Sequence, residues 1–187
     1  MNIYYYATNS DVFHYIDWKK VNLDETQKLR KIFDEDDPID LAYITSLEQE
    51  MMRYTEDTRE GDFLSFASPS GVICTPRAWR AIQDLIMDYV EAFSFRVEGH
   101  DYVLIHPRET LDALDEANSE VDYYSDGSIF DIYQYTFFPE KLKGKHLFRI
   151  PQTAGLHLYI SEVFKQRVEQ HQLMGLVSKR VLFSYEE

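Results

Sequence analysis

Hydrophobic residues in this chain come mostly in short runs cut by Gly, Pro, Asn and Asp, the pattern of strands and turns. Ile3 to Thr8 is the first such run. Val12 to Trp18 alternates and is expected to pair with it across Thr8-Asn9-Ser10-Asp11. Leu23, Leu29, Ile32 and Phe33 recur at partly helical spacing, and Asp34-Glu35-Asp36-Asp37-Pro38 is an acidic break. Leu41, Ile44, Leu47 and Met51 fit one helix face, which predicts a helix to about Gln49, and a charged loop follows from Thr55 to Asp62. The clearest helix is Thr75 to Val90. Thr75 suits an N-cap and Pro76 the first helical position, and Trp79, Ile82, Ile86, Tyr89 and Phe93 repeat at about 3.6 residues. Phe95 to Val97 then reads as a strand, Gly99 as a turn and Tyr102 to Ile105 as a returning strand.

The stretch from Tyr102 to Pro151 has its own grammar. Pro107 lacks a backbone donor and ends the first run. Leu111 and Leu114 sit three apart in an acidic segment that suits either one helical turn or an irregular connection. Val121 to Tyr124 meets Ser125-Asp126-Gly127-Ser128, and Asp-Gly between strand-like runs signals a hairpin. Ile129 to Phe138 is rich in β-branched and aromatic residues and reads as a strand, although Ile129, Ile132 and Phe137 alternate only loosely with Phe130, Tyr133 and Tyr135. Beyond Pro151, Leu156 to Ile160 reads as a strand, Ser161 as a cap, Val163 to His171 as a helix and Leu176 to Phe183 as a closing strand. Val72-Ile73-Cys74-Thr75 and Leu158-Tyr159-Ile160-Ser161 both lead from a strand through a hydroxyl cap into a helix. Two related strand–helix–strand halves, near 61–106 and 146–183, are therefore expected. The fold class is α+β, with mixed or mainly antiparallel sheets flanked by a few helices.

Composition narrows the partners. A length of 187 residues, 44% hydrophobic and 15% aromatic, supports a real core and argues against disorder. The formal net charge of −14 repels phosphates, so nucleic acid is not expected, whereas a basic protein would be attracted and steered. The opening Met1-Asn2-Ile3-Tyr4 has neither a basic n-region nor an apolar h-region, and no run is long enough to span a membrane. A cytoplasmic protein with no membrane partner is expected.

Little in the chain points to catalysis or to a cofactor. Cys74 stands alone, so no intramolecular disulfide forms, and its apolar run makes it a small core residue. The six histidines include no pair at i, i+4 and no His-Glu-x-x-His, so no metal site is expected. Asp112, Asp115, Glu116 and Glu120 crowd the central segment, where capping, turn formation and surface charge account for them. Ser65, Ser68 and Ser70 lack a Gly-x-Ser-x-Gly elbow, and no Gly-rich phosphate loop occurs.

Several short pieces, taken in order, resemble immunity-protein family eleven of bacterial polymorphic toxin systems. They are Leu111-Asp112-Ala113-Leu114-Asp115, Ser119-Glu120-Val121, Phe138-Pro139-Glu140-Lys141-Leu142, Leu147-Phe148-Arg149-Ile150-Pro151 and Leu158-Tyr159-Ile160-Ser161-Glu162-Val163-Phe164. Upstream, Gly61-Asp62-Phe63 and Thr75-Pro76-Arg77-Ala78-Trp79 occupy comparable places, so the likeness spans roughly residues 61–182. The family pattern would place an extended piece near Met51 to Thr55. The resemblance implies a non-catalytic immunity protein that binds a cognate toxin and neutralises it by occlusion. It divides the chain into a variable region, 1–60, packed on a family-like body, 61–187, as one compact unit. Partner-binding candidates fall where the likeness is weakest: Asp34, Glu35, Asp36 and Asp37, then Glu56, Asp57, Glu60 and Asp62, with Tyr43 and Tyr54 as aromatic anchors. The alternatives are a self-associating structural or regulatory domain, a homodimer through strand 129–138, and a hydrolase using carboxylates and histidines near residues 100–122.

Overall fold

The computed structural model describes residues 2–19, 44–45, 48–49, 51–66, 71–153 and 157–180. The expected helical stretch 23–33 lies outside them.

Two sheets carry the fold. The larger has six strands in the order β3 (Met51–Tyr54), β2 (Tyr15–Trp18), β4 (Phe63–Phe66), β5 (Val72–Cys74), β7 (His100–Pro107), β6 (Val90–Val97). Only the β2–β4 pair is parallel. The smaller is antiparallel throughout, in the order β10 (Leu147–Phe148), β11 (Tyr159–Ser161), β1 (Ile3–Thr8), β12 (Leu176–Arg180). A separate two-stranded ribbon joins β8 (Glu120–Tyr123) to β9 (Ile129–Gln134). The α+β class with mixed and antiparallel sheets is as expected.

The runs in β5 and β7 are continuously apolar because both faces of their sheet are covered. Val72, Cys74, Val103 and Ile105 point into a central core shared with both helices, while Ile73, Tyr102 and Leu104 enter a second core with Phe95, Met51 and Ile44. The smaller sheet repeats the arrangement. Tyr4 and Ile160 face the central core, and Ile3 and Tyr159 face a third one built with Tyr135, Phe137 and Phe148. Successive residues thus serve opposite faces, as the pleat requires.

Helix α1 (Pro76–Ile86) and helix α2 (Glu162–Gln170) start the same way. The Thr75 and Ser161 hydroxyls accept the N–H groups of Ala78 and Phe164, satisfying donors that the first helical turn leaves free. Arg167 of α2 ties the helices together by donating to the Ala81 carbonyl and to the Asp84 carboxylate, at 2.9 and 2.7 Å. The two halves also share a topology. In each, the strand after the helix lies parallel to the strand before it, with one antiparallel strand between them: β7 in the first half, β1 in the second.

Three expectations are corrected. The Val12–Trp18 run does not pair with β1; only Tyr15–Trp18 forms a strand, and it joins the other sheet between β3 and β4. The first long helix ends at Ile86, because the chain turns through Met87–Tyr89 and β6 already begins at Val90. The aromatic strand ends at Gln134, and Phe137 makes only an isolated bridge to Leu114. Near residues 40–54 both readings have a place. Ile44–Thr45 and Glu48–Gln49 are helical, and Met51–Tyr54 is extended. Strands β1, β2 and β3 belong to the sheets themselves, so the first sixty residues contribute to both.

Asp62 connects the halves. Its carboxylate accepts hydrogen bonds from Thr75 Oγ1 (3.0 Å), Arg77 Nη1 (2.7 Å) and the Met174 amide (3.0 Å). Its own amide donates to the Met174 carbonyl, and its carbonyl accepts from Thr75 N–H. Arg77 also donates to the His171 carbonyl at the end of α2. Gly175 follows with φ +100°, and a Cβ there would stand 2.1 Å from the Phe63 carbonyl oxygen. Asp62→Ala is expected to cost about 2–4 kcal/mol, since several donors lose a charged acceptor at once, while Glu60→Ala stays within about 0.5 kcal/mol. Urea denaturation of both variants checks this.

His146 adds a pH dependence. Its Nδ1 lies 2.8 Å from Ser161 Oγ, the hydroxyl that also accepts the Phe164 N–H. Burial, and then the Arg167 charge, hold the imidazole below its ordinary value. The unfolded chain therefore takes up protons first as the pH falls. The stabilisation is complete above about pH 6.5 and declines as the pH drops through the folded value. Urea midpoints at pH 7.5 and 5.5 should differ less in His146→Gln than in the parent chain.

Candidate functional site

The sequence-derived binding candidates separate in space. Asp34, Glu35, Asp36, Asp37 and Tyr43 lie outside the described residues. Glu56, Asp57 and Glu60 are exposed on the loop after β3. That loop is held by Phe13 and its neighbours: His14 N–H donates to the Arg59 carbonyl, Arg59 N–H donates to the Val12 carbonyl, and the Arg59 guanidinium sits 4.7 Å from the Phe13 ring centroid. Asp57 takes φ +55°, a left-handed position that Asp tolerates in turns. Tyr54 stacks on its cross-strand partner Tyr15, with centroids 4.7 Å apart and planes nearly parallel. Its outer face remains exposed. Asp62 is buried and turned inward, so it holds the fold rather than adding to this surface.

The carboxylates and histidines of residues 100–122 do not gather. His106 is buried in β7, while His100 opens that strand on the surface. Asp112 faces Lys141, Asp115 caps the 3-10 turn Glu116–Asn118, and Glu116 accepts from Gln152 Nε2 at 2.9 Å. Among the described residues, no three of His, Cys, Asp and Glu stand together so as to hold a metal. No helix among them is long and apolar enough to cross a membrane.

The ribbon β8–β9 carries a surface that periodicity obscured. Ile129 and Ile132 pack on the third core, while Tyr123, Tyr124, Phe130 and Tyr133 are 51, 55, 58 and 54% exposed. The cross-strand register explains the split. Tyr123 faces Ile129, Asp122 faces Asp131, Val121 faces Ile132 and Glu120 faces Gln134, which leaves Phe130 and Tyr133 without a partner on β8. Two extra residues in one strand are β-bulges, and a bulge re-aims a side chain. Tyr124 meets Phe130 edge to face at 5.0 Å. The Tyr133 and Tyr123 hydroxyls donate to Asp122 (3.1 Å) and Glu116 (3.3 Å); the Asp122 contact raises the Tyr133 phenol, and desolvation, then the Glu116 charge, raises that of Tyr123. Beside β9 lies a 170 Å³ cleft lined by Phe130, Asp131, Gln152 and His157, among others. Loose alternation in Ile129–Phe138 was the one signal of these bulges in the sequence.

Structurally this is an α+β scaffold that displays an acidic, aromatic ribbon. Residues 90–181 match the model of the Immunity protein family (Imm11). That match bears out the resemblance read from the sequence. It begins later than the likeness did, at β6, and leaves out Gly61-Asp62-Phe63 and the start of α1. No curated protein matches the chain.

Cys74 lies fully buried in β5, and burial, reinforced by the Asp62 charge, pushes its thiol far above the ordinary range. Its place just before α1 does not activate it. At pH 8, Ellman's reagent should find no reactive thiol in the folded chain and one per chain after denaturation.

Proposed function

We propose that this chain is a non-catalytic immunity protein of a bacterial polymorphic toxin system, acting in the cytoplasm by binding a cognate toxin and occluding its working surface. The match of residues 90–181 to the immunity family carries this reading. The net charge of −14 supports a basic partner. The internal contacts of Asp112, Asp115 and Glu116 support the non-catalytic reading of the central segment. The exposed Glu56, Asp57 and Glu60, with Asp34–Asp37, act as rim charges that raise the association rate, and Tyr43 and Tyr54 add contact area. Residues 1–60 and 61–187 work as one unit, with Asp62 serving the interface through the fold.

Growth rescue provides the test. Co-expression with a cognate toxin domain, sought first in the adjacent upstream gene, should restore growth and give a stoichiometric complex on purification. Persistent toxicity and failure to co-purify would sink the reading. Charge reversal at Glu56, Asp57 and Glu60 together should slow association about tenfold at low salt and leave dissociation nearly unchanged.

A further inference from the structure

We infer that the outer face of the β8–β9 ribbon is the principal docking surface, and that its occupant is a cationic protein segment presenting Arg or Lys. This rests on the immunity reading and specifies where, and by what chemistry, the partner is held.

Four observations converge on it. First, Phe130 and Tyr133 are the two bulged residues of β9, and both emerge into solvent beside Tyr123 and Tyr124. Exposed aromatics gathered on one ribbon differ from the scattered apolar residues normal on a surface. Second, Asp122 stands directly opposite Asp131. Like charges facing each other across a strand pair are unfavourable, so the free ribbon holds a repulsion that a cation relieves. Third, from Glu109 to Glu140 the chain contains no Lys, Arg or His, so the ribbon carries no cation of its own, and the imidazole that shares the cleft with Asp131, His157, is held below its ordinary value by burial. Fourth, the wall of the neighbouring cleft holds a buried acceptor with no donor among the described residues. Gln152 turns its amide nitrogen to the carboxylates of Glu116 and Asp112, which orients Oε1 the other way, where it is buried with no donor among the described residues.

One chemistry satisfies all four. A guanidinium stacks on a Tyr or Phe face, forms a forked pair with a carboxylate and donates to an amide oxygen. An ammonium meets the first two needs less specifically. A second copy of this chain, bringing the same acidic face, would double the repulsion. The expected energetic division is that Phe130 and Tyr133 act as anchors, while Asp122 and Asp131 steer and orient the partner.

The test uses the full chain and the toxin domain of the adjacent gene, with binding measured by interferometry. Phe130→Ala/Tyr133→Ala should weaken binding about 100-fold, chiefly through faster dissociation. Asp122→Asn/Asp131→Asn should slow association about tenfold and flatten its salt dependence. The same Asn pair should raise the Tm of the free chain by about 1–3 °C, an effect that merely structural carboxylates would not produce. Circular dichroism verifies folding, and amide exchange in the wild-type complex should show protection across residues 120–134. Wild-type affinity in the aromatic double variant, with the parent chain still binding and rescuing growth, would overturn the surface and leave the immunity reading intact. No binding or rescue by the parent chain would overturn both together. A free chain that dimerises, and becomes monomeric when Phe130 and Tyr133 are replaced, would replace the cationic partner with a second copy.

Discussion

The contact on which the rest of the structure depends is the buried carboxylate of Asp62. It closes the cap of α1 through Thr75, holds Arg77 of the same helix, and accepts the Met174 amide from the turn that leads into β12. One side chain thereby joins the larger sheet, its helix and the closing strand of the smaller sheet. A charge this enclosed is tolerable only when its oxygens are occupied, and here a guanidinium, a hydroxyl and a backbone amide occupy them. Gly175 belongs to the same constraint: the chain passes so close to Phe63 that no side chain fits. The two halves can share one central core because this junction fixes how near they approach.

Much of the scaffold was legible because it follows from local rules. Thr75-Pro76 and Ser161 announce helix starts through hydroxyls that the backbone needs there, and both helices begin where those caps require. The continuous apolar runs at Val72–Cys74 and Tyr102–Ile105 reflect sheets covered on both faces. The likeness between halves was visible as strand, cap and helix. The deeper match, an antiparallel strand inserted between two parallel ones, was not, because it depends on β1, which lies far away in sequence. Strand partnership failed for the same reason. The turn at Thr8–Asp11 looks like a hairpin connection, but pairing is decided by sheets assembled from distant residues, and β2 crosses to the other one.

The candidate site was less legible, and the reason differs for each residue. Asp62 looked like one more acidic surface residue of a charged loop, because its partners lie 13, 15 and 112 positions away. Tyr54 was recognised as aromatic, but its stacking on Tyr15 needed the β2–β3 register. The ribbon aromatics read only as strand residues, because alternation is the usual guide to facing. Two bulges break that guide, and a spacing of three then separates Ile129 and Ile132 from Phe130 and Tyr133. What reads as imperfect strand periodicity is the signature of side chains moved from one face to the other.

Scaffold and display obey opposite rules in this molecule. The Asp62 carboxylate is enclosed and matched by Arg77, Thr75 and the Met174 amide. On the ribbon, Asp122 faces Asp131 and four aromatic side chains stand in water. A fold selected only for stability would remove such features, since neither the repulsion nor the exposed apolar area contributes to the free chain. Local rules are broken most often at functional sites, which is the ground for proposing the ribbon as the docking surface. A two-stranded ribbon is also marginal on its own, and Ile129 and Ile132 supply its anchorage to the third core. Their side chains therefore pin the inner face of the ribbon to the body, while Phe130 and Tyr133 stay exposed.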